Sequence, residues 1–470
     1  MINCSQRKNI NRQFHNFHIG KMSYISINKQ QAQAMLKRIG VESIEELFSP
    51  IPREIQLNEL LNLPAASDDI SLQRHLRELA CKNRNTQECI SFLGAGSYEH
   101  YIPPVVEALS NQSAFVTAYT PYQAEASQGA LQAFYEFQTM ICQITGMDVC
   151  NSSMYEAGSA LAEAVLVARD VTSSSKVIVP ENVHPEYRRV LQSYLSSLPM
   201  QIDEIASPEG IIDIAEISNR LDDNVAALVV QQPDFFGLVN PLDKISELVK
   251  GKKTLLIVIA DPISLGLLKS PGNFDVDIVV GEGQSLGIPQ SFGGPYLGFF
   301  AAKEKFLRRL PGRLVGATVD DEGKRAFCLT LQTREQHIRR ERATSNICSN
   351  EGLLAIRAAI YLAAVGKSGL RAAANLCFQK AHYAAKKISS IDGYELKFGT
   401  SFFKEFVIRC TKAKPAEIIE HGRKKGIFAG VQLGNWYPKL SDCLLIAVTE
   451  KRTKAEIDQL AEIFEQVEGK

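Results

Sequence analysis

The chain has 470 residues, 45% of them hydrophobic and 22% charged, a balance that leaves ample core for several domains. Lys plus Arg and Asp plus Glu each number 52, so the net charge is zero and nothing drives the whole chain toward nucleic acid or an anionic membrane. The ten cysteines are scattered with no Cys-x-x-Cys, which argues against a zinc or disulfide framework and for a reducing, cytoplasmic compartment.

Residues 1–21 are basic, carry no acid and show no periodicity; they are read as a disordered extension. A transit peptide and an upstream start codon both fit, and the start at Met22 is favoured. Residues 22–89 read as a helical arm of the kind that wraps a partner subunit. Short amphipathic helices are expected over 29–48, with Ser43 to Glu46 as a capping box, and again over Leu57 to Leu63 and Ser71 to Lys82. From about Ile90 the character changes. Helical segments at 103–111, 130–144, 159–170 and 184–197 alternate with short apolar strands. Those strands are Lys176–Val179, Ala226–Val230, Leu255–Ala260, Ile278–Val280 and Tyr296–Ala301. Continuous Val/Ile runs between helices predict a mostly parallel sheet covered on both faces, so residues 90–348 form a large α/β domain. Residues 349–470 form a smaller α+β domain. Helices Glu351–Val365 and Leu370–Ile388 lead into strands Tyr394–Phe398 and Phe406–Cys410, helix Pro415–Lys425, strands Ile427–Leu433 and Leu444–Val448, and helix Thr453–Val467. Every apolar run reads as too short to span a bilayer.

Several segments are unusual for plain scaffold. Ser91–Pro103 mixes Gly94 and Gly96 with aromatics and His100. Thr117–Gly129 carries Tyr119, Thr120, Tyr122 and Gln123 around a proline-fixed turn. Polar, aromatic loops of this kind feed helix N-termini that hold small anions, although ordinary turns use the same residues. Thr344 and Ser345 precede a strong helix, where they serve either as caps, with Ser349 as another, or as hydroxyls reaching a phosphate. Gly158 and Ser159 open a helix, either as a phosphate cup or for tight packing. His184 follows a strand, as a ring-stacking residue or a plain helix start with Pro185 at its first position.

The stretch from Leu255 to Pro295 is the most informative. An apolar strand ends on Asp261, a second follows, and a glycine-rich turn runs through Gln284. Pyridoxal-phosphate enzymes of the aspartate aminotransferase-like fold, fold type I, resemble this. In them an Asp meets the pyridine nitrogen and a lysine roughly 20 to 30 residues later forms the Schiff base. This chain has the Asp and no lysine where the second strand ends. Lys269 comes too early, and Lys303 and Lys305 head a surface helix, so none of the three is expected to face Asp261.

Longer words make the resemblance specific. Phe92-Leu-Gly-Ala-Gly-Ser-Tyr-Glu-His-Tyr101, the Tyr119 to Gln123 turn with Ser127-Gln-Gly129, Met154-Tyr-Glu156, Gln290 to Pro295 and Arg342-Ala-Thr-Ser-Asn-Ile347 recur in order in the glycine cleavage system P-protein family. The chain is similar to subunit 1, the N-terminal half, from Met22 to the C-terminus. Laid on the other half's lysine word, Gln284 stands at the lysine and Gln290 at its last histidine. A carboxamide nitrogen, delocalised into its carbonyl, cannot form a Schiff base. The resemblance therefore implies a subunit of glycine decarboxylase whose pyridoxal phosphate is held covalently by the homologous P-protein subunit 2. It further implies glycine as substrate, lipoylated H-protein as acceptor of the aminomethyl group, CO2 as product, and T- and L-proteins in the same system. Nucleic acid and membrane are not expected as partners. On this reading Thr344 and Ser345 reach the partner-bound phosphate, and His100, Tyr119, Thr120, Tyr122 and Gln123 line the glycine and lipoyl entrance. Gly158, Ser159, His184, Asp261 and Gln284 form a vestigial site. The alternatives are a purely structural or regulatory subunit, and an independent fold type I enzyme such as a desulfurase.

Overall fold

A computed structural model describes residues 26–467 except 58, 60, 118 and 349. The N-terminal extension and the Ser349 cap therefore lie outside the described residues. The chain divides into a unit ending at Asn83 and a unit from Arg84 onward.

The first unit contains helices α1 (Lys29–Ile39) and α2 (Asp69–Ala80), each capped by the side chain just before it and neither burying a residue. Among the described residues of the expected helix at Leu57–Leu63 none is helical; a 3-10 turn lies just before them at Arg53–Ile55. A seven-residue segment closes too few hydrogen bonds to offset nucleation, and Leu57, Leu61 and Leu63 stay exposed with no face to pack.

The second unit is built on a seven-stranded sheet. Its strands are β1 (Val149–Cys150), β2 (Lys176–Pro180), β3 (Gln201–Ile205), β4 (Val225–Gln232), β5 (Leu255–Ala260), β6 (Ile278–Glu282) and β7 (Gly298–Ala302). They lie in the order β1-β7-β6-β5-β4-β2-β3, parallel except for β7, which runs antiparallel to both neighbours. Side-chain alternation sorts each apolar strand into two cores. Leu256, Val258 and Ala260 join α3 (Gln128–Thr145) on one face, while Leu255, Ile257 and Ile259 join α4 (Ala157–Thr172) and α5 (Pro185–Leu195) on the other. Strands β1 and β3 lack a long apolar run and escaped the sequence reading. So did a hairpin of β8 (Leu314–Val319) and β9 (Arg325–Thr330).

The C-terminal part holds a four-stranded antiparallel sheet of β10 (Tyr394–Leu396), β11 (Glu405–Cys410), β12 (Val431–Gln432) and β13 (Cys443–Ala447), in the order β10-β11-β13-β12. Helix α6 (Gly352–Ser389) links it to the large sheet; the two helices expected there meet at Gly366, whose φ of 59° is non-helical. Its first half packs in the α3 core and its second half, with α7 (Pro415–Lys424) and α8 (Lys454–Gln466), in the small-sheet core. By length and composition α6, counted across its kink at Gly366, is apolar enough to cross a membrane; many of its apolar residues are buried in the two cores, while Leu353, Leu376 and Phe378 stay exposed.

Candidate functional site

The carboxyl edge of a parallel sheet is where α/β folds place ligands. Here Asp261 follows β5, Glu282 ends β6, Gln231 and Gln232 end β4, and His184 follows β2. The small sheet is drawn onto this edge by the chain after β4. Val239 N–H donates to the Ser401 carbonyl at 2.9 Å and Phe403 N–H to the Gly237 carbonyl at 3.0 Å. That zipper delivers Lys404 and Glu405, at the start of β11, directly over the pocket.

Lys404 is the residue the sequence reading missed. Its ammonium lies 2.7 Å from Asp261 Oδ2, 3.1 Å from His100 Nε2 and 3.5 Å from the centre of the Tyr98 ring. Lys303 and Lys305 pair with Asp277, away from Asp261 as expected, while Lys404, which the sequence reading did not weigh, faces Asp261 from a strand 143 positions further on in sequence. The only local signal was a Lys-Glu pair set inside Phe402-Phe403 and Phe406.

A buried relay continues from it. His100 Nδ1 lies 2.7 Å from Glu450 Oε2, and the Cys377 thiol donates to that same oxygen at 3.3 Å. Burial alone would raise the Glu450 carboxyl, but hydrogen bonds from His100, the Tyr101 N–H and the thiol hold it below its ordinary value. His100, Cys377 and Glu450 lie close enough to share a metal ion. The Lys404 ammonium against His100 Nε2 instead makes that nitrogen a hydrogen-bond acceptor, so Nδ1 donates to Glu450.

Gln284 is 1% exposed and fully engaged. Its carboxamide oxygen accepts the Tyr98 N–H at 2.9 Å, and its nitrogen donates to the Tyr98 carbonyl at 3.0 Å and the Ile288 carbonyl at 2.8 Å. Glu282 accepts from the backbone N–H groups of Gln284, Leu297 and Ala157, joining this turn to the start of α4; burial raises its carboxyl to about 8. Glu405 accepts from Ala95 N–H at 2.7 Å and Tyr98 O–H at 2.6 Å, and burial lifts it to about 7.

The glycines of Ser91–Pro103 have a packing explanation. A Cβ on Gly94 would sit 2.2 Å from Glu405 Oε1, and one on Gly96 would sit 2.9 Å from His184 Nε2. His184 is neutral, its conjugate acid pushed down to about 4 by burial; its Nε2 donates to the Ala95 carbonyl at 2.8 Å while Nδ1 accepts the Glu186 N–H. Its ring stacks on Tyr187, 4.2 Å between centroids. At the α4 N-terminus, the Glu156 carboxylate accepts the N–H groups of Gly158 and Ser159.

Of the expected vestigial group, Asp261 lines the pocket; His184 backs it through Gly96 and Tyr187, Gln284 through Tyr98, Gly158 and Ser159 hold Glu156 at the start of α4, and His100 reaches Lys404. The structure separates His100 from the rest of its expected group. Tyr119, Tyr122 and Gln123 are exposed and Thr120 is half-buried. Tyr119 and Thr120 line a different cavity of about 430 Å³ with Arg313, Glu351 and Phe134. Tyr122 O–H accepts from Arg313 at 3.1 Å. Thr344 and Ser345, half-buried, border a third recess with Arg308, Arg309 and Arg334, and Ser345 Oγ accepts the Ile347 N–H.

The pocket at Asp261 does not fit pyridoxal phosphate. The space left among Gly96, Tyr187, Asp261, Glu282 and Lys404 is about 40 Å³, against the roughly 300 Å³ and more of pockets that hold cofactor-sized ligands.

Sheet order, the acid after β5 and the helix start facing it define the class: a pyridoxal-phosphate-dependent fold of type I. The glutamate decarboxylase of Lactobacillus brevis shares that fold, with a TM-score of 0.66 at 12% identity over 90% of this chain and 96% of its own. The chain belongs to the glycine cleavage system P-protein family, whose model matches residues 22–464. It is 50% identical over 440 residues, 94% of this chain and 98% of the relative, to the probable glycine dehydrogenase (decarboxylating) subunit 1 of Desulforamulus reducens. The corresponding protein of Carboxydothermus hydrogenoformans is also 50% identical, covering 94% and 99%. A crystal structure of glycine decarboxylase (P-protein) of the glycine cleavage system, in inhibitor-bound form, superposes with a TM-score of 0.86 at 40% identity, over 95% of this chain and all of that one.

Proposed function

We propose that this chain is the subunit without the Schiff-base lysine of a heteromeric, cytoplasmic glycine decarboxylase, inactive alone and completed by a homologous P-protein subunit 2. The observation that carries the reading is Gln284, a buried carboxamide tied by three hydrogen bonds, at the position that the resemblance gives to the family's lysine. The partner's pyridoxal phosphate supplies the electron sink for decarboxylation. CO2 leaves, and the aminomethyl group passes to the lipoyl arm of H-protein, with T- and L-proteins completing the system.

This chain's share is a wall of the partner's site. In the reading, Tyr119, Thr120, Tyr122 and Gln123 face the partner's glycine and lipoyl entrance, and Thr344 and Ser345 reach its phosphate. Exposure of the first group and the arginines around the second support that assignment. His100 belongs to the Lys404 relay and acts on the entrance through the adjoining Tyr101. The arm 22–89, the large domain 90–348 and the small domain 349–470 keep their places in this reading, the arm as a clasp on the partner.

The test is glycine–bicarbonate exchange by co-expressed subunits, with and without this chain. Exchange only in the pair supports the reading; full exchange by the partner alone refutes it. Alanine at Tyr119, Tyr122 and Gln123 should abolish turnover in an intact complex. Unchanged turnover leaves the purely structural or regulatory role.

A further inference from the structure

Each group that pyridoxal phosphate would present to this fold has a protein counterpart in the pocket. The phosphate belongs at the N-terminus of α4, where backbone N–H groups converge. There the Glu156 carboxylate accepts from Gly158 and Ser159, and Gly158 is needed for it: a Cβ would lie 2.7 Å from Glu156 Oε2. The ring belongs on the face of His184, and the Tyr187 ring stacks there at 4.2 Å with an 18° tilt. The protonated ring nitrogen belongs against Asp261, and the Lys404 ammonium is there at 2.7 Å. The Schiff-base lysine is replaced by Gln284, whose donors and acceptor are all used.

We infer that the chain fills its own cofactor site with Glu156, Tyr187, Lys404 and Gln284, and that this filling closes the pocket to pyridoxal phosphate and clamps the small sheet onto the large one. The clamp follows from where the groups come from. Lys404 enters from β11 and pairs with Asp261 after β5, while Ala95 and Tyr98, in a segment that starts beside Ile427–Phe428 and gives Phe92 to the small-sheet core, bond to His184 and Gln284 on the large-sheet side. One ion pair and the hydrogen bonds of His184 and Gln284 thus join the two sheets through a space that a cofactor would otherwise keep open. The inference shares with the functional reading only the alignment of Gln284 with the lysine.

The test uses the purified full-length chain and pyridoxal phosphate. Uptake is followed by visible absorbance near about 420 nm, by borohydride trapping with peptide mapping, and by the melting temperature. Wild type should show no saturable uptake at micromolar cofactor, no shift in melting temperature and no trapped adduct at Lys404. Gln284→Lys should behave identically, because the phosphate, ring and nitrogen places remain filled. Gln284→Lys combined with Glu156→Gly, Tyr187→Ala and Lys404→Ala should take up the aldehyde with the adduct at position 284. One equivalent bound by wild type or by Gln284→Lys alone overturns the inference. The wild-type measurement stands even if a variant fails to fold. Uptake by wild type with lysine-dependent exchange still confined to the subunit pair would overturn the filled pocket and leave the functional reading intact.

Discussion

Lys404 carries the most electrostatic weight of any residue in the pocket, and it does so at a cost that only its partners offset. An ammonium with a 2% exposed side chain is tolerable because Asp261, His100 Nε2 and the Tyr98 ring share its charge. Removing one member of such a pair strands the other. Lys404→Met is expected to destabilise the chain by roughly 3–5 kcal/mol, and Lys404→Met with Asp261→Asn to recover a large part of that loss. Urea unfolding of the two variants measures the difference; equal destabilisation would mean that the ion pair is not the source. Asp261 was legible from its place after an apolar strand. Lys404 was not, because a residue's electrostatic partners are set by which strand ends meet, and β5 and β11 meet only through the folding of α6 and the segment after β4. Glu156 was hidden differently: its motif was noticed, but a carboxylate that caps its own helix and a cup that awaits a phosphate share the same glycine.

At the scale of elements, the junction of β4 and β11 is the hinge of the architecture. Gly237 has a φ of 86°, and a Cβ there would fall 2.0 Å from the Glu405 carbonyl oxygen. Gly237→Ala is therefore expected to cost at least about 1–3 kcal/mol and to loosen the seating of Lys404 and Glu405. Hydrogen exchange of the Phe403 and Val448 amides, bonded to Gly237 and Lys404 carbonyls, reports that loosening; unaltered protection would contradict it. Helix α8 illustrates what local chemistry alone can do. Thr453 accepts the Glu456 N–H and the Glu456 carboxylate accepts the Thr453 N–H, a capping box readable from sequence. Thr453→Ala should lower stability by about 1 kcal/mol without touching the pocket, as thermal melting will record. The long apolar strands were equally readable, since period and burial agree. The two-residue β1, the mixed β3 and the β8–β9 hairpin were not. Their pairing is decided by neighbours rather than by their own pattern, as the Leu57–Leu63 segment also shows from the opposite side.

For the molecule as a whole, several buried carboxyls tie folding to pH. Burial raises Glu163 to about 7, Glu405 to about 7 and Glu282 to about 8, from an ordinary 4.5. Across that window the folded chain holds protons that the unfolded chain has released, so their contribution to stability is complete below about pH 4.5 and falls as pH rises through 7 to 8. Glu450, held below its ordinary value, acts in the opposite sense, and its contribution is lost only as pH drops below 4.5. The melting temperature should therefore decline from mildly acidic pH toward pH 8. Glu163→Gln should flatten that decline, because Glu163 Oε2 is buried without a hydrogen-bond partner; an unchanged pH profile would rule this out. The arm adds a prediction about assembly: Leu72→Ser with Leu76→Ser on exposed α2 should preserve its helix by circular dichroism and weaken association with the partner in sedimentation. The sequence by itself determined the α/β class and the P-protein family, because strand periodicity and motif order are local properties. Only the tertiary structure decided what faces Asp261, because Lys404 arrives from a strand 143 positions further on, and its desolvation and ion pairing exist only once β5 and β11 have met; Tyr187 and Glu156 are near in sequence to His184 and α4, but their side-chain placement shows only in the folded chain.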